Sequence, residues 1–416
     1  MVHCLVYTDY KLNDENVKEF EKQERIIKTI NKRFLTYGYK RIKTPTFEQY
    51  DLYTKVASSI NQKEMIKVID HTGQVLVLRP DVTIPITRKL AEDFSELSKE
   101  LRYFYVQDVF RQSVDNTKDI ESTQAGVEYF CKSSPEADAE VIALACHTLR
   151  DLGFTDIKIE IGHAGFFKEL VQQIKLTELQ LNQLKNMIQA KNVVDIEALL
   201  GGLSIEKDLR NAIEMIPFLY GNPDKVSARA RELSLTDKMK EKLDYLTNVY
   251  EILKLYGLKD NIVMDLGLIN HMEYYSDVIF QGFVGKYGKP VLMGGRYDQL
   301  GNEFGTALPA IGFACEIDSL VEASAGQEVS LRIPIDVKIL FDASCIGKSI
   351  TIANELRERN YSVLSFPKEK EEADQQSIYC IRIEPELQTF QYKGTTNPFS
   401  GINELMNLII RAKGDA

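Results

Sequence analysis

The chain has 416 residues, too many for one ordinary core, so two or three domains are expected. Its 44% hydrophobic and 27% charged residues read as a soluble globular protein, and a net charge of −10 argues against a broad nucleic-acid footprint. No apolar run approaches membrane-spanning length, the N-terminus carries no signal-peptide pattern, and six cysteines without CxxC or metal spacing read as reduced core thiols of a cytoplasmic protein.

A first helix is expected over about 14–37, where Val17, Phe20, Ile26, Ile27, Ile30 and Phe34 approximate one apolar face and Tyr37-Gly38 ends it. Strand-like segments follow at 41–44, 66–69, 75–78, 103–106 and 127–130. Pro135 and Glu136 open a second helix that stops at Gly153, and DIKIEIGH reads as the next strand. Residues 165–257 carry almost unbroken helical pattern. Strand signals resume at 262–266, 274–280 and 290–293, before a closing helix near 313–324.

From about 333 the order becomes strand (DVKILFD), helix (GKSITIANELRERNY), strand (SVLSF), strand (SIYCIRIE) and helix (GINELMNLIIRAK). The run KEKEEAD at 368–374 is too short and polar to bury a helix and reads as a solvated face or loop. The fold class is therefore α+β over 1–325, with a helical insert at about 165–257 and a small α/β domain over 331–416.

Residues 102–130 hold the most suggestive local pattern. Two alternating runs flank a loop rich in Asp, Asn, Thr and Ser, so they read as two antiparallel strands carrying Arg111, Gln124 and Glu128. An arginine with a carboxamide and an acid on adjacent strands suits a small zwitterion or a nucleotide. Other motifs carry less. GKS at 347–349 lacks the earlier glycine of a phosphate-binding loop, since position 342 is Asp342, and reads as a helix start. Gly294-Gly295, Gly301 and Gly305 do not make GxGxxG, and no histidine has a partner at metal-ligand spacing, so no metal or cofactor is expected.

Four segments in order and register are specific: LRPDVTIPITR (78–88), VFRQ…STQAGVEYF (109–130), EYYSDVIF (273–280) and GGRYDQLGNEFGTALPAIGFACEIDSL (294–320). Together they resemble the catalytic core of histidyl-tRNA synthetase over about 15–325. The resemblance implies a class II synthetase core, an antiparallel sheet flanked by helices, with a degenerate anticodon-binding-like domain after it. It also implies a histidine pocket. Asp81, shorter than the family's glutamate, and Thr83 would hold the α-amino group; Arg111 and Gln124 would lie near the carboxylate; Glu128 with Tyr275, beside Tyr274, would read the imidazole.

The same comparison exposes departures. Arg111 is kept where the family holds the α-phosphate, but Ser113 stands where an adenine-binding acid belongs. Asn270 replaces the histidine-specific arginine and Ser319 the γ-phosphate arginine, while Glu316 stands in place of a glycine. The loop after Arg111 offers Asp115, Asp119 and Glu121 against Lys118. Removing one preorganised donor costs on the order of 10²–10³ in rate, so adenylation chemistry is expected to be lost.

A synthetase-like body without synthetase chemistry resembles the regulatory subunits of ATP phosphoribosyltransferase. That resemblance implies a non-catalytic subunit that activates a short-form catalytic partner, mediates feedback inhibition by histidine and forms a homodimer within a hetero-octamer, with no nucleic-acid or membrane partner. Competing readings are a working histidyl-tRNA synthetase and a tRNA-sensing module on the same core. Residues 331–416, with 11 Lys+Arg against 12 Asp+Glu, make a poor surface for gripping tRNA.

Overall fold

The computed structural model describes residues 14–56, 62–93, 99–112, 120–269, 274–325, 335–368 and 377–414. The chain divides into two compact units, Met1–Gln327 and Glu328–Ala416.

The first unit opens on helix α1 (Asp14–Thr36), which buries Ile26, Ile30 and Phe34 at helical spacing. Val17 and Phe20, expected on the same face, are exposed. Gly38, at φ 78°, ends the segment because that left-handed conformation suits a residue without Cβ. Strand β1 is short (Lys40–Arg41) rather than reaching 44, and is followed by β2 (Phe47–Gln49), helix α2 (Tyr50–Lys55), β3 (Lys67–Ile69) and β4 (Val75–Leu78). The sequence reading did not anticipate β2, α2 or helix α3 (Thr83–Asp93). Pro85 hid the last of these; it lies in the first turn, where its missing N–H costs no helical bond.

Two ten-residue strands follow, β5 (Leu101–Phe110) and β6 (Glu121–Phe130), paired antiparallel so that Gln107 faces Gln124 and Tyr103 faces Glu128. Helix α4 (Pro135–Asp151) is capped by Ser134 and leads into β7 (Ile157–His163). The insert contains α5 (Ala164–Val171), α6 (Glu178–Gln189), α7 (Val193–Gly201), α8 (Lys207–Met215), the two-residue β8 (Tyr220–Gly221), α9 (Pro223–Glu232) and α10 (Asp237–Leu255).

The remaining strands are β9 (Ile262–Asp265), β10 (Val278–Val284), β11 (Leu292–Arg296) and β12 (Ala310–Glu316). The strands expected at 274–280 and 290–293 thus start later. The helix expected over 313–324 is corrected more deeply: its first third belongs to β12, and the helix proper, α11, spans Ile317–Ala323. β12 lies at the centre of the nine-stranded sheet, order β1-β5-β6-β12-β11-β10-β7-β9-β8. A strand largely buried on both faces loses the polar alternation that marks an exposed one. The β1–β5 and β7–β9 pairs are parallel and the others antiparallel.

One sheet face packs on α1 and α4 through Phe34, Phe104, Ile142, Phe280 and Phe313. The other face, with α2 and α3, shelters Tyr53, Val77, Ile86, Tyr105 and Tyr297. No helix among the described residues is long and apolar enough to cross a membrane.

The second unit has a five-stranded sheet, order β14-β13-β15-β16-β17, formed by β13 (Ile335–Phe341), β14 (Val363–Pro367), β15 (Ser377–Ile383), β16 (Gln388–Tyr392) and β17 (Thr395–Pro398). Helices α12 (Ile346–Glu358) and α13 (Ile402–Gly414) pack on it, with Ile339, Leu356, Ile381, Phe390 and Leu405 in the core. The β16–β17 hairpin was missed. Its turn is Lys393-Gly394, both at positive φ as a type I′ connection requires. GKS at 347–349 lies inside α12, where Ser349 is buried against Ser365 at 2.7 Å. Of the charged run at 368–374, residues 369–374 lie outside the described residues.

Candidate functional site

Small residues open a floor in the sheet face that carries Glu128. Along β6 that face presents Gln124, Gly126 and Glu128; across from them β12 presents Glu316, Ala314 and Gly312. Gly295 continues the row on β11. A Cβ on Gly312 would meet a Glu128 carboxylate oxygen at 1.9 Å and the Val127 carbonyl at 2.4 Å. One on Gly126 would strike the Tyr105 ring at 2.5 Å, and one on Gly295 the Tyr275 ring at 2.8 Å. Glycine at these positions makes the space that Glu128 and two tyrosines fill.

A cleft of about 630 Å³, counting the open solvent at its mouth, lies over this floor. Asp81, Thr83, Arg111, Gln124, Glu128, Tyr274 and Tyr275, the seven residues singled out in the sequence, all line it. Asn270 and Ser113 lie outside the described residues; Ser319 is on α11.

Several partners differ from the simplest expectation. Thr83, at the start of α3, donates to Glu128 at 2.6 Å. The other Glu128 oxygen accepts from Tyr297. Asp81 accepts the Ile84 backbone N–H at 3.2 Å. Arg111 donates through Nε to the Pro80 carbonyl at 2.6 Å, and Gln124 donates to Glu316 at 2.6 Å. The Pro80-Asp81 turn is anchored by buried Arg79, which donates to the carbonyls of Thr44, Pro45 and Asp108 and to the Gln107 side chain. In the aromatic wall Tyr274 lies tilted against Tyr275 at 4.8 Å between ring centroids and edge-on to Tyr297 at 5.8 Å.

Burial dominates the electrostatics. It pushes the Asp81 carboxyl up to about 7, against the opposing pull of Arg111. It pushes Glu128 up to about 8, against hydrogen bonds from Thr83 and Tyr297 that favour the ionised form. Such a site is poised to take a ligand that brings N–H donors or positive charge. Among the described residues no group of three His, Cys, Asp or Glu is placed to hold a metal ion.

Sequence reasoning missed Tyr105, Tyr297 and Gly312 as lining residues of this cleft, and set Glu316, which also lines it, at the lost nucleotide site. The alternation Tyr103-Phe104-Tyr105 was a usable signal for the first, and the GGRYD segment for the second. Behind the cleft, Arg296 donates to Asp138, to Asp298 at 2.9 Å and to the Lys132 carbonyl at 3.1 Å, while Tyr245 donates to Asp138 at 3.0 Å. This buried network sits one residue before Tyr297.

The family model described as histidyl-tRNA synthetase matches residues 11–320. A protein of Oceanobacillus iheyensis named ATP phosphoribosyltransferase regulatory subunit is 42% identical over 398 residues, covering 95% of this chain and 97% of its own. The similarly named protein of Ruminiclostridium cellulolyticum is 33% identical over 364 residues, covering 87% and 86%. Among solved structures, an ATP phosphoribosyltransferase regulatory subunit/histidyl-tRNA synthetase of Bacillus halodurans superposes with a TM-score of 0.77 at 29% identity, covering 92% of this chain and 99% of that one. Histidyl-tRNA synthetase of Nostoc superposes at 0.79 with 16% identity and 96% coverage of both, a likeness of fold.

Proposed function

We infer the function from one premise: the chain belongs to the family of ATP phosphoribosyltransferase regulatory subunits, built on the histidyl-tRNA synthetase fold. It serves histidine biosynthesis as a non-catalytic subunit in the cytoplasm. Its partner is a short-form ATP phosphoribosyltransferase, which it activates, and the two assemble as a hetero-octamer containing this chain as homodimers. Histidine is the feedback effector and occupies the cleft over β6 and β12. The observation that carries the reading is the match to the Oceanobacillus protein along almost the whole chain. The cleft supports it, because Glu128, Asp81 and the tyrosines suit an imidazole and an ammonium group.

The deciding experiment mixes a purified short-form ATP phosphoribosyltransferase with this protein. Activity should be feeble alone and rise on mixing, as one larger complex forms by light scattering. Equal activity with and without the chain refutes the regulatory role.

Histidine should then inhibit the assembled complex. Inhibition requires histidine to favour the inhibited state over the active one, since equal affinity for both shifts nothing. Glu128→Gln should raise the inhibitory histidine concentration by a factor equivalent to roughly 0.5–1.5 kcal/mol, the loss of one hydrogen bond to a carboxyl that burial keeps largely protonated near neutral pH. Assembly and activation should persist. Unchanged inhibition in both Glu128→Gln and Tyr275→Phe complexes would place histidine elsewhere.

Synthetase chemistry is expected to be absent. With Asn270, Ser319 and Glu316 where the related enzymes have arginines and a glycine, histidine-dependent exchange of pyrophosphate into ATP should stay at background. Exchange at a synthetase-like rate would restore the enzyme reading.

A further inference from the structure

The two ends of the cleft are chemically unequal. At one end, Glu128 is held by Thr83 and Tyr297, with Tyr275 beside it. At the other, Gln124 on β6 and Glu316 on β12 stand directly opposite in register and are joined at 2.6 Å. Four residues of strand separate Gln124 from Glu128, roughly 13 Å at strand rise, and Gly126 and Ala314 lie between. An amino acid whose ring reaches Glu128 therefore directs its carboxylate toward the Gln124–Glu316 end.

That end is poorly equipped for an anion. One of the two Gln124 amide N–H groups is already given to the Glu316 carboxylate. Arg111 gives its Nε–H to the Pro80 carbonyl. Among the described residues lining the cleft, Asp81, Glu128 and Glu316 are acidic and Arg111 is the one cationic side chain. A ligand carboxylate would meet Glu316 as a like charge, which costs affinity. A hydroxyl in its place would donate to Glu316, a bond no carboxylate can make.

We propose that Glu316, through its bond to Gln124, makes the cleft a site for an imidazole-bearing amine whose carboxylate is dispensable, so that the corresponding amino alcohol binds at least as tightly as the amino acid. The proposal rests on the reading of the cleft as an imidazole and amine pocket. Ring and ammonium supply the specificity, and the third substituent is tolerated.

Calorimetric titration of the full-length protein with L-histidine and with L-histidinol tests this. The alcohol should bind equally or up to about tenfold more tightly, the scale of one like-charge contact at the edge of a protein. Glu316→Gln should tighten histidine by about three- to tenfold, since one repulsion is removed, and weaken histidinol, whose hydroxyl loses its charged acceptor. Glu316→Gly, which removes both the repulsion and the acceptor, shifts the ratio in the same direction should the glutamine variant misfold. Histidine binding tighter than histidinol, or a ratio unmoved by either variant, overturns the proposal while the pocket reading stands. Failure of both ligands to bind, or binding indifferent to Glu128→Gln, removes the pocket reading and the proposal with it.

Discussion

Asp138→Asn is expected to destabilise the protein by about 3–5 kcal/mol, the range for stripping one partner from a buried ion pair. Asp138 on α4 is fully buried and Arg296 at the end of β11 is 1% exposed, so the guanidinium left behind has no route to water. Its other acceptors, Asp298 and the Lys132 carbonyl, hold a different nitrogen and do not replace the lost carboxylate. The comparison is Asp151→Asn, which breaks the Arg33–Asp151 pair at the surface, where the side chains are 27% and 32% exposed. That variant should lose less than about 1 kcal/mol. Urea unfolding of both variants separates them, and equal losses would mean the buried network carries no special weight. Because Arg296 directly precedes Tyr297, whose hydroxyl binds Glu128, stabilisation by added histidine should also weaken in Asp138→Asn and persist in Asp151→Asn.

The hairpin of β5 and β6 was legible because it is long and alternates, with one face polar enough to mark the site. Central β12 was not. Its Ile-Gly-Phe-Ala-Cys run is dictated by two packed faces and by the room Glu128 needs, and it shows neither a period of two nor a convincing period of 3.6. Helix α3 was hidden by Pro85, harmless in a first turn. For the site, residue types and a resemblance brought the seven positions into view, and the structure gathers them around one cleft. What the sequence withheld was who bonds to whom. Thr83 meets Glu128 across 45 residues of chain, and Gln124 meets Glu316 across 192, pairings that exist because β6, β12 and the start of α3 converge. Local pattern carries no information about such closures.

Raising the pH from 6.5 to 8.5 is expected to lower the stability of the ligand-free protein by about 2–3 kcal/mol. Asp81, with an ordinary value of 3.8, is pushed by burial to about 7, and Glu128, ordinarily 4.5, to about 8. Both carboxyls hold their protons in the folded chain at pH values where the unfolded chain has released them. The folded state therefore binds more protons between about pH 4 and pH 8, and stability falls as pH rises through that window. Buried His163 titrates with the opposite sign, because desolvation holds it near 4, and most of its contribution is present by 6.5; burial also raises Glu48, Asp138 and Asp265, which act in the same direction as the two acids. Glu128→Gln, which cannot ionise, should flatten most of the decline, and a slope unaltered by that variant would remove Glu128 as its source. Histidine binding should follow the same protons. In the proposed pocket its ammonium group meets an ionised Asp81, so below about pH 7 binding must expel a proton and affinity should drop as pH falls. Calorimetry in two buffers of different ionisation enthalpy would register that release near pH 6.5, and an identical binding heat in both would exclude Asp81 as the group that meets the ammonium.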